Sequence, residues 1–137
     1  MPFPIVHFEI PVDDVERAIK FYKQSFGWKI SDPMKMDYFF VETSKPGKGG
    51  INGGLMKRKM PGQPFMNYIM VKSIEPALAK VVKAGGSVCM PKTAIDKGMG
   101  WIAIFMDTEQ NMMGFYQTGK AMKPAKKPAK KPAKKKK

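Results

Sequence analysis

Among its 137 residues the chain has one cysteine, Cys89, and one histidine, His7. A single thiol excludes an internal disulfide and fits a reducing compartment. Cys89 lies between Val88 and Met90 in a strand-like run, so a buried structural thiol is expected. No apolar run approaches the length that spans a bilayer. The N-terminus lacks the basic and long apolar regions of a secretory signal, so a cytoplasmic location is expected. Acids are scarce too: 11 against 25 Lys and Arg, for a formal net charge of +14. Ten of the lysines fall at Lys120 or later, where no acid occurs. Residues 1–119 therefore hold 15 basic and 11 acidic groups, a balance of +4. The body is a mildly basic domain, long enough for a real core. The extreme charge belongs to a tail.

The body is organised around His7-Phe8-Glu9-Ile10-Pro11-Val12-Asp13-Asp14-Val15-Glu16-Arg17-Ala18, which reads as a strand running into a helix. Side chains alternate along a strand, so His7 and Glu9 share one face. Phe8, Ile10 and Val12 take the other and should pack on the helix. Asp13 or Asp14 suits the N-cap, and Glu16 suits the positive end of the helix dipole. Val15, Ala18, Ile19, Tyr22 and Phe26 recur at helical spacing as a buried stripe. Gly27 is a natural stop.

Strands are expected over Trp28–Ser31, Asp37–Glu42 and Ile51–Arg58, the last broken by Gly53-Gly54. Gly47-Lys48-Gly49-Gly50 lacks the Lys-Ser/Thr and the helix of a phosphate loop, and reads as a plain connection. The pattern then restarts. Met66–Val71 is a strand. Ser73 can cap a helix bearing Leu78, Val81 and Val82, and Gly85-Gly86 ends it. Strands follow over Ser87–Met90, Trp101–Met106 and Asn111–Gln117. Moving residues 7–30 forward by 59 places Val12 on Val71, Ala18 on Ala77 and Gly27 on Gly86. Each half therefore reads strand–helix–strand–strand–strand, an internal repeat. The expected fold is α+β: two βαβββ modules, about 4–58 and 65–118, forming one curved eight-stranded mixed sheet whose concave face is a cup.

This paired repeat resembles the vicinal oxygen chelate superfamily, which includes glyoxalase I, bleomycin-resistance proteins and extradiol dioxygenases. The resemblance covers roughly residues 4–118. It rests on the His7–Asp14 stretch, Ala18-Ile19-Lys20-Phe21-Tyr22, Phe26-Gly27-Trp28, Gly53-Gly54-Leu55-Met56, Ala84-Gly85-Gly86 and Asp107-Thr108-Glu109-Gln110-Asn111-Met112-Met113-Gly114-Phe115. The last looks like the family's Asp-Pro-Glu-Gly-Asn ending, with Thr and Gln for Pro and Gly. The resemblance implies four metal-ligand positions. The first falls on His7, the second on Met66, the third on Gly54 or Leu55, and the fourth on Gly114. Only His7 can bind a hard cation. Glu9 adds one donor and still leaves too few. The expectation is therefore no metal and no cofactor, with a divalent ion as the alternative.

His7 and Glu9 are the candidate catalytic pair. Their Cα atoms stand two strand residues apart, roughly 6–7 Å, close enough to meet one ligand. Alternatively, His7 is simply hydrogen-bonded within a polar patch. Met66, Tyr68, Met70, Met112 and Tyr116 fall on the concave side by period-two counting. Such a lining is deformable and suits flat organic ligands, though each residue read singly is as well placed in a core or an interface. Family analogy implies a homodimer.

The tail, residues 119–137, repeats Lys-Pro-Ala-Lys and ends in a lysine run. Regular prolines bar helix and like charges repel, so disorder is expected. It resembles the tails of linker-histone-like proteins. Lys126, Lys127, Lys130, Lys131, Lys134, Lys135, Lys136 and Lys137 are the candidate contacts to nucleic acid, polyphosphate or an anionic membrane, by counterion release. Three functions follow: a small-molecule-binding protein of the bleomycin-resistance kind, a glyoxalase-like lyase or isomerase (or dioxygenase) using His7 and Glu9, or a polyanion-associated protein localised by its tail.

Overall fold

Asp14 closes the first strand and opens the first helix. Its carboxylate accepts the backbone N–H of Arg17 at 3.0 Å, filling one of the donors that a helix start leaves unpaired. Gly27 ends that helix at φ 70°, the left-handed cap conformation that costs glycine least, and its N–H reaches Lys23 O at 2.9 Å. These two caps fix a βα unit that recurs once. The computed structural model describes residues 2–119. Residues 120–137, with the eight candidate lysines from Lys126 to Lys137, lie outside the described residues.

The elements run β1 (Ile5–Val12), α1 (Val15–Phe26), β2 (Lys29–Ser31), β3 (Tyr38–Glu42), β4 (Gly53–Lys57), β5 (Met66–Met70), α2 (Ile74–Lys83), β6 (Ser87–Ala94), β7 (Trp101–Met106) and β8 (Met112–Gln117). A 3-10 turn at Asp96–Gly98 joins β6 to β7. This is the expected α+β order, strand–helix–three strands twice over, with eight strands in one mixed sheet. Two compact units meet between Ile69 and Met70.

In the first unit the strand order is β2-β3-β4-β1-β5. β1 runs parallel to β4, with Ile10 opposite Leu55, and antiparallel to β5, with Phe8 opposite Asn67. That second ladder explains why β5, which opens the second repeat, groups with the first unit. The core is Ile30, Val41 and Leu55, and Phe8, Val12, Val15, Ala18, Ile19, Tyr22, Trp28 and Phe39 pack against it. Leu55 is 0% exposed; full burial of a leucine is worth about 1.5–3 kcal/mol.

The expected helix stripe packs on the core through Val15, Ala18, Ile19 and Tyr22, which are half-buried and not fully buried as expected, and it fails at its end. Phe26 is 60% exposed. As the last helical residue it leans on Trp28, ring centroids 5.4 Å apart, instead of entering the core. The glycine pair also does not break β4; it begins it. A Cβ on Gly53 would strike the Phe8 carbonyl and ring. A Cβ on Gly54 would strike the Tyr38 ring and hydroxyl. Neither face of the strand has room for a side chain there.

In the second unit β7 lies between β6 and β8. The Phe105 and Phe115 rings meet at 4.7 Å, tilted by 33°, and Ile74 and Ala77 of α2 are buried. Ser73 is the N-cap residue but makes no capping bond; Gln117 Oε1 accepts the Ile74 N–H at 2.9 Å in its place. β6 runs through Pro91 to Ala94, longer than expected, with its register shifted between Val88 and Met90. Cys89 is the extra residue of that bulge. It is exposed, contrary to the expected buried thiol.

Candidate functional site

Residues paired directly across a ladder project to the same face. His7 pairs with Tyr68, Glu9 with Met66 and Gly54, Gly54 with Phe40, and Met56 with Tyr38. One face of the first unit therefore carries an imidazole, a carboxylate, two phenols, a phenyl ring and two thioethers. Tyr68 and Met66 are buried, 5% and 7% exposed; His7, Glu9, Tyr38 and Phe40 are half-buried.

A 2.6 Å hydrogen bond joins His7 Nε2 and Tyr38 Oη. Tyr68 Oη donates to Glu9 Oε1 at 3.1 Å. The His7 ring lies nearly parallel to Tyr38, centroids 6.2 Å apart, and edge-on to Tyr68 at 5.8 Å. Phe40 meets Tyr38 edge-on at 5.8 Å. The two sequence candidates are thus linked through phenols.

Burial sets the electrostatics. It lowers the His7 pKa, because an imidazolium loses hydration there. It raises that of Glu9, against the pull of the Tyr38 and Tyr68 hydroxyls and the charge of Lys59. Both tyrosines are pushed well above the ordinary phenol value, first by burial and then by the Glu9 charge, so both stay protonated. Among the described residues Glu9 has no ion-pair partner within 4.0 Å.

The donor set does not fit a divalent metal. Met66 is a thioether, and Gly54 and Gly114 have no side chain. The space a ligand at position 54 would need is filled by Tyr38. The Nε2 atom of His7 is taken by the same phenol. Among the described residues no three His, Cys, Asp or Glu side chains form a metal-holding group.

The other expected lining residues are described with their own unit. Met70, Met112 and Tyr116 belong to the second unit. There Tyr116 Oη donates to Met99 O at 2.9 Å, and Met112 pairs with Met106. Tyr38 escaped the sequence reading. The available signal was its alternation with Phe40 on β3 and the bare Gly54 waiting opposite. A hollow of about 510 Å³ lies beside Asp13, Arg58 and Lys59, and none of the His7, Glu9, Tyr38 and Tyr68 side chains lines it. Its guanidinium is already used by Asp13, the Pro11 carbonyl and the Gln63 carbonyl. No helix among the described residues is long and apolar enough to cross a membrane.

Comparison with known proteins supports the architecture. Residues 4–44 match the family model for the N-terminal part of bleomycin-resistance-like proteins. A hypothetical protein of Bacillus halodurans C-125 has a similar fold, with a TM-score of 0.63 at 17% identity over 96% of this chain and 100% of that one. So does a glyoxalase/bleomycin resistance protein/dioxygenase superfamily member from Vibrio splendidus 12B01, with a TM-score of 0.60 at 15% identity over 85% of this chain and 99% of that one. A glyoxylase-like domain-containing protein of Didymella fabae is 31% identical over 112 residues, 75% of this chain and 84% of that protein. With that likeness behind it, the chain belongs to the glyoxalase-like family of the vicinal oxygen chelate superfamily.

Proposed function

We propose that this protein binds a small organic molecule without a metal, on the face of the first unit that carries His7, Glu9, Tyr38, Met66 and Tyr68. The observation that carries the reading is Tyr38. Its phenol fills the space above Gly54 and bonds His7 Nε2, so a polar network replaces the ligand set of the metal enzymes. Methionines and aromatic rings around it offer an apolar, adaptable surface. Met70, Met112 and Tyr116 are further lining candidates, and a homodimer is the expected assembly. The test is a thermal-shift screen of aromatic and amphipathic compounds, alongside metal analysis of untagged protein purified without chelator. We expect hits whose stabilisation weakens in Tyr68→Ala, and no stoichiometric metal. Near-stoichiometric metal lost in His7→Ala would refute the reading, as would a screen with no stabiliser.

A second reading has its own support. Burial moves the proton affinities of Glu9 and His7 towards each other, which suits metal-free proton transfer in a lyase or isomerase. It predicts that His7→Ala or Glu9→Gln abolishes turnover while the fold survives. The lysine tail is a separate proposal, drawn from its charge: truncation after Gln117 should remove duplex DNA binding at low salt.

A further inference from the structure

We infer that Tyr38 is an internal ligand: its ring fills a phenol-shaped slot over Gly54, and a phenolic molecule from solution binds this face by taking its place. The inference rests on the reading of this face as a small-molecule site and names the class of molecule it takes.

The slot is defined by what touches the ring. Gly54, buried and without a side chain, is its floor. A Cβ there would strike Oη, Cζ and Cε2 of Tyr38, so the polar half of the ring lies directly on the backbone. His7 closes the polar end, with Nε2 2.6 Å from Oη. The imidazole lies within 16° of the plane of the phenol, centroids 6.2 Å apart, and Phe40 meets it edge-on at 5.8 Å. Each of these contacts falls on the ring or its hydroxyl, atoms that a free phenol also has. One polar partner at the end of an apolar slot is how a site orients a phenol.

Tyr38 is also placed to leave. It is the first residue of β3 and pairs with Met56 at the end of that ladder. The backbone leading to it is strained. Two non-glycine residues, Lys35 at φ 55° and Asp37 at φ 58°, take the left-handed conformation. Such residues persist only where their surroundings enforce them, and they collect at ligand clamps and switches. Here Asp32 enforces them: its two carboxylate oxygens accept the N–H groups of Met36 and Asp37, each at 3.0 Å. The turn thus presses the phenol into its slot at a cost in backbone energy. When Tyr38 swings out, β3 keeps its ladder from Phe39, opposite Leu55, onward. The Gly54 floor, the His7 end and the Phe40 wall are then left for a ring of the same kind. The affinity for an outside phenol is reduced by the fraction of molecules in which the slot is empty.

The chain has one histidine, so full-length protein labelled with ¹⁵N-histidine reports on the polar end of the slot alone. Phenol and toluene are the probes, alike in size, one with a hydroxyl and one without. Tyr38→Ala vacates the slot and should bind phenol about tenfold or more tightly than the unmutated protein does, with an Nε2 shift that toluene does not reproduce. Asp32→Ala keeps the ring and loosens the turn, so its phenol affinity should fall between the two. The inference is overturned if phenol leaves His7 untouched in folded Tyr38→Ala, or if toluene shifts Nε2 as phenol does. It is equally overturned if Asp32→Ala binds phenol no better than the unmutated protein, an arm that stands even should Tyr38→Ala fail to fold. If phenol fails while compounds from the thermal-shift screen still move the His7 signals, the small-molecule site survives and the slot alone is refuted. If nothing in the screen moves them, the site itself fails and the slot with it.

Discussion

The helices α1 and α2 hold equivalent places in the two halves of the repeat and bury different amounts. α2 sinks Ile74 and Ala77 completely, while no residue of α1 is fully buried. The sheet strands differ in the same spirit. The first unit closes its core with Leu55, Val41 and Ile30 and places a histidine, a carboxylate and two phenols on the other face. The second rests on Phe105 against Phe115, and its Lys92–Glu75 ion pair of 3.3 Å is at the surface. The shift of 59 makes the divergence specific: His7 corresponds to Met66, and Glu9 to Tyr68. Repetition preserved backbone order and apolar pattern. Chemistry entered through a few positions that carry little of the fold.

The largest effects should come from the cores. Leu55→Ala in the first unit and Ile74→Ala in the second, both at 0% exposure, should each cost about 2–5 kcal/mol. Urea unfolding of each variant checks this, and two separate transitions would show that the halves unfold independently. Next is the glycine pair. Gly54→Ala forces the Tyr38 ring aside and should cost about 1–3 kcal/mol. Adding Tyr38→Ala should recover part of that loss, a non-additivity readable in a double-mutant cycle. Smaller still are the helix starts. Asp14→Ala should lose about 1 kcal/mol, whereas Ser73→Ala should be close to neutral because its hydroxyl makes no capping bond. Equal losses at the two caps would contradict the geometry.

The gentlest test is pH. His7 has its pKa lowered from 6.5 by burial, so the unfolded chain takes up that proton first as pH falls below about 6.5. Stability should decline there, and His7→Gln should remove the decline. Glu9 works in the opposite sense. Its folded pKa is raised from 4.5, so the native state binds the proton first. Its contribution is fully present below pH 4.5 and is lost as pH rises through the folded value. Chemical denaturation across this range, with Glu9→Gln beside His7→Gln, separates the two.

How far the sequence went depends on distance along the chain. β7 was expected over Trp101–Met106 and lies there; Gly27 caps α1 where expected, and of the two acids offered for its N-cap the structure uses Asp14. These features are local, set by periodicity and by what neighbouring backbone groups need. The partners of the site are not local. His7 meets Tyr38 across 31 positions, and Glu9 meets Tyr68 across 59. Only strand register decides which tyrosine stands over which glycine, and register between distant strands leaves no mark on either strand alone. The same reason hid the Cys89 bulge, which arises from pairing with β7, and the use of Gln117 where Ser73 was expected to cap α2.

The crowding of Gly54 by Tyr38 also constrains the order in which this lineage can change. A larger side chain at position 54, such as a glutamate, is costly while Tyr38 is present, because its Cβ would clash with the phenol. Shrinking Tyr38 beforehand relieves that clash but gives up the partner of His7 Nε2. Either order of change therefore passes through a sequence less well packed or less well bonded than the present one. The pairing of a bare Gly54 with Tyr38 is held in place by the path as well as by the destination.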